Sequence, residues 1–338
     1  MSISNTALTI EDRKLLFTNL LRADEYDRTM YKRMMSGKLL GFYHPGEGAI
    51  APGIGAATFL NQDDVLSPHH RAHGMAHALA KGVDLKPYLA EHTGKAGGCS
   101  EGRSSFHMSF PEHKIYMFSG FIGFNFAPAV GYGYAAKLSG KGQVVMMCSG
   151  DGSYGQGRAH EAMLMAQNMK LPIIFWCENN GLAIHAEASE MHPMPDISSL
   201  ADGYGMPKRI VDGQDVFACA EAAREAIDHA REGKGPMFVE CKTLRLKEHD
   251  IGTPDLIGST PRSKEDILKQ AEREPVKLAM QKVLADGLFT MDEIDDLRTA
   301  ARAEVEAAWD WADAQPFPED GEAELMTHVF APNAEDAA

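Results

Sequence analysis

The chain has 338 residues, of which 44% are hydrophobic, and a formal net charge of −15 at pH 7. That acidity, without a basic stripe in the sequence, argues against a nucleic-acid partner. No stretch approaches the roughly 18 apolar residues of a membrane span, and the early acidic residues Glu11 and Asp12 do not fit a signal peptide. The five cysteines form no Cys-x-x-Cys pair and are expected to be reduced thiols, so we expect a cytoplasmic protein.

The first part of the chain is predicted to be mostly helical. The alanine- and glycine-rich helix within it suits close packing, either against another subunit or inside the core. The long irregular segment that follows has a length typical of functional loops. The predicted elements are, in order, helices at 9–38 and 50–59, a short strand at Val65 and Leu66, the irregular segment at 94–117 and a helix at 126–137.

The middle of the chain has the pattern of a strand–helix–strand unit. Residues 144–148 and 172–177 are apolar runs of strand length, and residues 157–170 between them carry apolar side chains at helical spacing. Such a unit makes two neighbouring parallel strands. Asp151 and Asn180 would then both follow the carboxyl ends of these strands, the edge at which open α/β sheets bind ligands.

The residues after the first of these strands suit a phosphorylated ligand and a metal ion. Gly150 and Gly152 allow a sharp turn and a close approach of the backbone, and the N–H groups of Gly152 and Ser153 suit phosphate oxygens. The Asp151 carboxylate and the Asn180 side-chain oxygen are hard ligands of the kind that Mg²⁺ shares with phosphates. A plain glycine turn followed by a polar strand end is the alternative.

The rest of the chain continues the alternation of strands and helices and then becomes helical. Alternation of this kind predicts an α/β fold, a doubly wound parallel sheet flanked by helices. The charged helical pattern from residue 264 onward, clearest at 304–311, predicts an extension that packs on a partner or on the flank of the domain. The other predicted elements are a loop at 183–195, a short helix at 197–205, strands at 209–211 and 236–241, and a helix at 216–232.

Two motifs and their surroundings carry a family resemblance. Gly-Asp-Gly at 150–152 is followed by Asn-Asn at 179–180, within the segments GDGSYGQG and LPIIFWCENNG. These resemble the thiamine diphosphate fingerprint of the alpha subunit of the decarboxylating component of 2-oxo-acid dehydrogenase complexes. That group includes pyruvate, branched-chain and acetoin dehydrogenases. The likeness extends from residue 41 to residue 318.

The resemblance implies a fold, a chemistry and a set of partners. The implied fold is the thiamine diphosphate-binding fold, with a helical N-terminal extension at 1–40, the diphosphate-binding domain at 41–262 and a helical C-terminal extension at 263–338. The implied activity uses thiamine diphosphate and Mg²⁺ to cleave the C–C bond next to the carbonyl of a 2-oxo acid or an acetoin-type ketol. The acyl unit would pass to a lipoyl acyltransferase. A beta subunit would complete an α₂β₂ heterotetramer and supply a glutamate, so this oxidoreductase would be active only with it.

Further residues take implied cofactor-binding roles from the family. Arg71, preceded by His70, matches an arginine that grips the diphosphate, a role suited to the planar guanidinium. Ile122 lies in Gly-Phe-Ile-Gly, whose counterpart holds the aminopyrimidine ring through its backbone. The backbone oxygen of Leu182 is implied to join the two oxygen ligands named above around Mg²⁺.

Several histidines are candidates for other chemistry. By resemblance His107, in Ser-Phe-His-Met, reaches the substrate end of the cofactor, and His249 lies near the diphosphate. Both are candidate catalytic residues, and His249 is also a candidate cofactor ligand. The family has a glycine before this second histidine where this chain has a glutamate, which leaves its role open. The spacing of His70, His73 and His77 leaves a zinc site as an alternative, although cysteine and carboxylate partners are missing nearby in the sequence.

Aromatic residues set this chain apart from the family pattern. Phe121 stands where the family has a smaller apolar residue, and Phe124 adds bulk nearby. Together with Phe42 and Phe106 they form the predicted substrate pocket. Either the core has been repacked, or the pocket is remodelled for an unusual acyl donor.

Two other classes of protein stay open as alternatives. One is a stand-alone thiamine diphosphate-dependent lyase or carboligase, an α/β pair without a lipoyl partner. The other is a non-catalytic cofactor-binding or assembly subunit. The presence of Asp151, Asn180, Arg71 and His107 speaks against the second.

Overall fold

A five-stranded parallel sheet lies at the centre of the protein. The computed structural model describes residues 7–39, 41–116, 120–251 and 263–319. The strands are β1 Val65–Ser67, β2 Val145–Gly150, β3 Ile173–Asn179, β4 Leu182–Ala183, β5 Ala186–Glu187, β6 Lys208–Asp212 and β7 Met237–Lys242. The main sheet has the order β1-β2-β3-β7-β6 with every neighbouring pair parallel, and β4 and β5 form a small antiparallel hairpin outside it. The predicted parallel sheet and its predicted strands are confirmed.

Helices cover both faces of the sheet. They are α1 Ile10–Met35, α2 Ala51–Ala57, α3 Met75–Ala80, α4 Leu85–His92, α5 Phe126–Ser139, α6 Gly157–Met169, α7 Ala188–Met191, α8 Val216–Arg231, α9 Lys264–Ala271, α10 Pro275–Ala285 and α11 Met291–Ala314. Helix α1 begins at a capping box, in which the side chains of Thr9 and Asp12 each accept from the backbone N–H of the other. Within the region predicted to be helical at 9–38, the structure has this one long helix, Ile10–Met35.

The strands bury side chains on both faces because successive residues of a strand point to opposite sides. In β2, Met146 and Cys148 join the larger apolar cluster, which also contains residues of α1, α2 and α8. Val145 and Met147 join a second cluster with residues of α5 and α6. Burial on both faces explains why these strands read as continuous apolar runs in the sequence.

Helix α2 packs against α8 within this chain. All of its residues are buried, and a Cβ added to Gly55 would lie 2.5 Å from the Cβ of Cys219. Of the two explanations for the small residues at 50–59, packing inside the core therefore suffices.

The C-terminal helices pack on the N-terminal helix, on the flank of the same chain. Arg22 of α1 donates from Nε to Glu304 of α11 over 2.7 Å. Trp309 of α11 is buried in the same apolar cluster as Phe17 of α1. The predicted division into 1–40, 41–262 and 263–338 stays a prediction, and residues 1–6, 40, 117–119, 252–262 and 320–338 lie outside the described part of the chain.

One region differs from the expectation drawn from the sequence. The loop predicted at 183–195 contains parts of the β4–β5 hairpin and helix α7, which begins with a capping box between Glu187 and Glu190. These elements are too short for a clear periodic pattern. The short helix predicted at 197–205 is confirmed, and it is a 3₁₀ helix, Ile197–Tyr204.

The structure can also be compared with two predictions drawn from composition, on the cysteines and on membrane spans. The five cysteines all fall within the described residues and are free thiols, four of them buried. None of the described helices is long and apolar enough to cross a membrane.

Candidate functional site

A cavity of about 340 Å³ opens at the carboxyl ends of β1, β2 and β3. Open α/β sheets bind ligands at this edge. The cavity brings together residues that are far apart in the chain, including the loop after β1, the turn after β2 and the loop after β3. Most of the predicted site residues line it, namely Phe42, His70, Arg71, Phe106, Ile122, Gly150, Asp151, Gly152, Ser153, Asn180, Leu182 and His249.

The Asp151 carboxylate lines the cavity with one oxygen unpartnered. The residue is 1% exposed, and no described residue hydrogen-bonds its Oδ2. Burial raises the pKa of this carboxyl, although backbone N–H groups, including that of Asn180, act in the opposite direction. An unpartnered buried carboxylate oxygen is costly, so the arrangement fits a bound cation.

Two further oxygens lie at the same cavity. The side-chain oxygen of Asn180 accepts from the N–H of Leu182 over 3.1 Å and keeps a second lone pair. Both residues line the cavity with Asp151. A carboxylate, an amide oxygen and a backbone carbonyl are the donor set of a hard divalent cation.

The turn after β2 depends on its two flanking glycines. A Cβ on Gly152 would lie 2.5 Å from the Cβ of Ala183, and a Cβ on Gly150 would lie 2.9 Å from Nε2 of His69. The chain continues as a 3₁₀ helix, Asp151–Gly155, directly before α6. This turn therefore brings backbone N–H groups close to the cavity, as a bound phosphate requires.

Arg71 supplies a cation to the cavity. Its Nη1 donates to the backbone oxygen of His249 over 2.7 Å, and its Nη2 lies 3.3 Å from Nδ1 of the same histidine. Burial, followed by the nearby Arg245, lowers the pKa of Arg71 to about 9, which still leaves the guanidinium charged at neutral pH. A buried guanidinium that faces a cavity suits an anionic ligand.

Three histidines at this cavity are neutral at pH 7. Burial is the main cause that lowers the pKa of His44 to about 2 and that of His249 to about 3, and Arg71 acts in the same direction on both. Burial also lowers the pKa of His70 well below its usual value. Ring nitrogens of these three histidines lie within 4.8 Å of one another, a spacing compatible with a metal ion. The neighbouring Arg71 cation opposes such an ion.

The zinc site that the spacing of His70, His73 and His77 left as an alternative is not assembled from these three residues. Nε2 of His73 lies 3.0 Å from Nδ1 of His44, whereas Nε2 of His77 lies 2.7 Å from a carboxylate oxygen of Glu178. His70 instead meets His44 ring to ring, with centroids 5.0 Å apart. His70 and His73 therefore both contact His44, whereas His77 contacts Glu178, so the three histidines do not converge on one point.

The buried carboxylate of Glu178 contacts two histidines, His69 and His77, and the sequence did not predict these contacts. Glu178, at the carboxyl end of β3, lies 3.1 Å from Nδ1 of His69 and 2.7 Å from Nε2 of His77. Burial alone would raise the pKa of Glu178, but the attraction and hydrogen bonds of the two histidines lower it to about 2. His69 lines the cavity, and its Nε2 is buried without a described hydrogen-bond partner.

The predicted substrate residues fall into two groups. Phe42 and Phe106 line the cavity and contact each other, with ring centroids 5.0 Å apart. Phe121 is 77% exposed and lines a smaller adjoining cavity, and Phe124, 44% exposed, is not among the residues lining either. His107 is exposed beside the cavity, where a Cβ on Gly120 would lie 3.0 Å from its Nε2.

His44, His69 and Glu178 belong to the site, although no role was predicted for them. Each lies next to a motif of the sequence, His44 after Gly-Phe-Tyr, His69 before His-Arg, and Glu178 before Asn-Asn. Proximity to these motifs was the available signal. Their partners are far away along the chain, so the sequence pattern alone did not show what they contact.

The fold and this cavity define an α/β protein whose site suits a phosphorylated ligand held together with a divalent cation. Comparison with known proteins gives the family. The model of the dehydrogenase E1 component matches residues 21–320. The chain therefore belongs to the dehydrogenase E1 component family.

Curated relatives are similar over almost the whole chain. The alpha-3 subunit of the chloroplastic pyruvate dehydrogenase E1 component of Oryza sativa is 33% identical, covering 97% of this chain and 78% of the relative. The pyruvate dehydrogenase E1 alpha subunit of Zymomonas mobilis is 35% identical, covering 87% and 81%. The alpha subunit of the acetoin:2,6-dichlorophenolindophenol oxidoreductase of Cupriavidus necator is 32% identical, covering 97% and 98%.

Proposed function

We propose that this chain is the alpha subunit of a thiamine diphosphate- and Mg²⁺-dependent dehydrogenase that acts on a 2-oxo acid or an acetoin-type ketol. The observation that carries the proposal is the unpartnered buried oxygen of Asp151 in the same cavity as the Arg71 guanidinium. A cation site beside an anion site is what a metal–diphosphate pair requires. Membership of the E1 family and the names of the pyruvate and acetoin relatives support it.

The residues of the chain bind and orient the cofactor. Thiamine diphosphate, when bound, supplies the chemistry of C–C cleavage next to a carbonyl. Asp151, Asn180 and the backbone oxygen of Leu182 would hold Mg²⁺. Arg71 and the N–H group of Gly152 would hold the diphosphate.

Two histidines are proposed to serve the reaction itself. His249 is neutral because burial and the nearby Arg71 lower its pKa to about 3, so it can accept a hydrogen bond without adding charge. His107, exposed beside the cavity, is the residue proposed to exchange protons with the substrate.

The proposed enzyme works with a beta subunit and a lipoyl acyltransferase in the cytoplasm. The curated relatives are named as alpha subunits, which supports a partner chain. The proposed assembly is an α₂β₂ heterotetramer that passes the acyl unit to the lipoyl group. The beta subunit would complete the part of the cavity near Ile122, which is 47% exposed in this chain.

Cofactor binding tests the proposal directly. In the chain reconstituted with its beta subunit, Asp151→Ala should weaken Mg²⁺-dependent binding of thiamine diphosphate by roughly 100-fold, since charged metal contacts of this kind are worth about 3 kcal/mol. Binding is measured by calorimetric titration at saturating Mg²⁺. The matched control is Asp295→Ala, at an exposed position on α11. An affinity unchanged by Asp151→Ala would overturn the metal assignment.

Substrate and acceptor are separated by a second assay. The reconstituted complex is tested with pyruvate, branched-chain 2-oxo acids, acetoin and bulkier 2-oxo acids, each with and without a lipoyl domain. Pyruvate as clearly the best substrate would contradict a remodelled pocket. Aldehyde release or carboligation at full rate without any lipoyl domain would favour the stand-alone lyase.

A further inference from the structure

One buried carboxylate organises the irregular segment that leads into the cavity. Glu91, near the end of α4, is 0% exposed. Its Oε2 accepts from the backbone N–H groups of Ser100 and Gly102 over 2.7 and 3.0 Å. Its Oε1 accepts from the N–H and the hydroxyl of Ser104 over 2.6 and 2.7 Å. Both oxygens are therefore used, and all four donors come from the segment 98–106.

The backbone of this segment has two residues with positive φ angles and lies directly against the Glu91 carboxylate. Glu101 and Ser105 have positive φ angles of 55° and 54°, a left-handed region that is strained for non-glycine residues. A Cβ on Gly98 would collide with the Glu91 carboxylate, so the chain lies directly on it. Backbone N–H groups gathered around one anion form a concave cradle, and the charge of the anion strengthens each hydrogen bond.

Helix α4, which carries Glu91, is anchored to the core of the protein. Helix α4 packs against α11, and the hydroxyl of Tyr88, one turn before Glu91, donates to the backbone oxygen of His73. Tyr88 is fully buried. The carboxylate is therefore fixed to the core while the segment that it binds lies at the surface of the site.

The segment ends at Phe106 and leads directly into His107, two residues of the proposed site. The N–H of His107 donates to the backbone oxygen of Ser104 over 2.9 Å, so Ser104 links Glu91 to His107. Phe106 stacks on His73, with ring centroids 4.9 Å apart, and lines the cavity. We propose that Glu91 is a positioning residue that fixes segment 98–106 and thereby places Phe106 and His107 at the cavity. This inference rests on the proposed function.

Glu91→Gln tests the proposal with little change of size. The amide keeps one acceptor oxygen but turns an NH₂ group toward two backbone donors, so half of the contacts are lost. We expect tryptic cleavage after Arg103, within the segment, to accelerate by roughly tenfold or more. In the complex with the beta subunit, kcat should fall by roughly tenfold, while the Kd of thiamine diphosphate with Mg²⁺ stays within about threefold, because the described side-chain hydrogen bonds of Glu91 all go to segment 98–106.

Two further variants keep the test decisive. Glu112→Gln, at an exposed position in the short 3₁₀ helix Pro111–His113, is the matched control and should change neither cleavage nor kcat. Ser104→Ala removes only the hydroxyl contact, and should give a smaller change in the same direction if Glu91→Gln does not fold.

Each outcome bears on the proposal. Unchanged cleavage and unchanged kcat in Glu91→Gln would overturn it, and so would an equal loss of cofactor affinity, which would show an effect on the whole fold. If the wild-type complex binds no thiamine diphosphate, the proposed function fails, yet the cleavage measurement still reports on the role of Glu91 in ordering the segment.

Discussion

Replacing Glu178 by glutamine should destabilise the protein because this carboxylate is buried between two histidines. Glu178 is 1% exposed and lies 3.1 Å from Nδ1 of His69 and 2.7 Å from Nε2 of His77. Glutamine has nearly the same shape but only one acceptor oxygen, so one of the two contacts must be lost or inverted.

The pKa of Glu178 gives the size of the effect. Its lowering from 4.5 to about 2 corresponds to roughly 3 kcal/mol of stability at neutral pH. Because the folded-state pKa lies below the unfolded value, this stability is present above pH 4.5 and is lost as the pH falls toward 2. At pH 3.5 the contribution should have decreased by roughly 40%.

Urea denaturation at pH 7, 5 and 3.5 measures this dependence. We expect Glu178→Gln to lower the free energy of unfolding by about 2–4 kcal/mol at pH 7, with a smaller difference from wild type at pH 3.5. Glu161→Gln, at an exposed position on α6, is the matched control and should change it by less than about 0.5 kcal/mol. A variant as stable as this control, or a difference independent of pH, would refute the reasoning.

Two other substitutions test the phosphate end of the cavity. Gly152→Ala places a Cβ 2.5 Å from the Cβ of Ala183 and should lower both the melting temperature and the affinity for thiamine diphosphate, at a cost of about 1–3 kcal/mol. Gly157→Ala, whose Cβ would meet nothing within 4 Å, should leave both unchanged or slightly improved, and equal behaviour of the two variants would contradict the steric argument. Arg71→Lys should weaken cofactor binding by roughly tenfold or more, because an ammonium cannot bind the His249 oxygen and a phosphate in the same fork geometry; an unchanged calorimetric Kd would remove Arg71 from the binding site.

The fold was largely predictable because its signals are local. Each core strand is an apolar run bounded by glycine, proline or polar residues, and the helix between β2 and β3 has a clear period. The position of Asp151 and Asn180 at one edge follows from that topology alone. The short elements β4, β5 and α7, of two to four residues, carry too little pattern to be recognised.

The contacts of the histidines could not be predicted, because they depend on one unusual stretch of backbone. Ala72 and His73 have positive φ angles of 49° and 51°, which interrupt the helical path between His70 and His77. Residues three and four apart share a face only on a regular helix. The spacing of the three histidines therefore does not place them on one helix face. His77 instead contacts Glu178, 101 positions away in the chain.

The two ends of the cavity differ in burial, and this difference determines what the chain reveals about the cofactor and about the substrate. At the phosphate end, Asp151 and Arg71 are buried within this chain, so the residues of this chain determine which ligand atoms can bind there. At the other end, Phe42 is 42% exposed, Ile122 is 47% exposed and Phe121 is 77% exposed. Large apolar side chains exposed together beside a cavity indicate a surface that a partner covers. Under the proposed function that partner is the beta subunit. The assembled pair would then determine substrate specificity, and the aromatic residues of this chain would form only one wall of the substrate pocket.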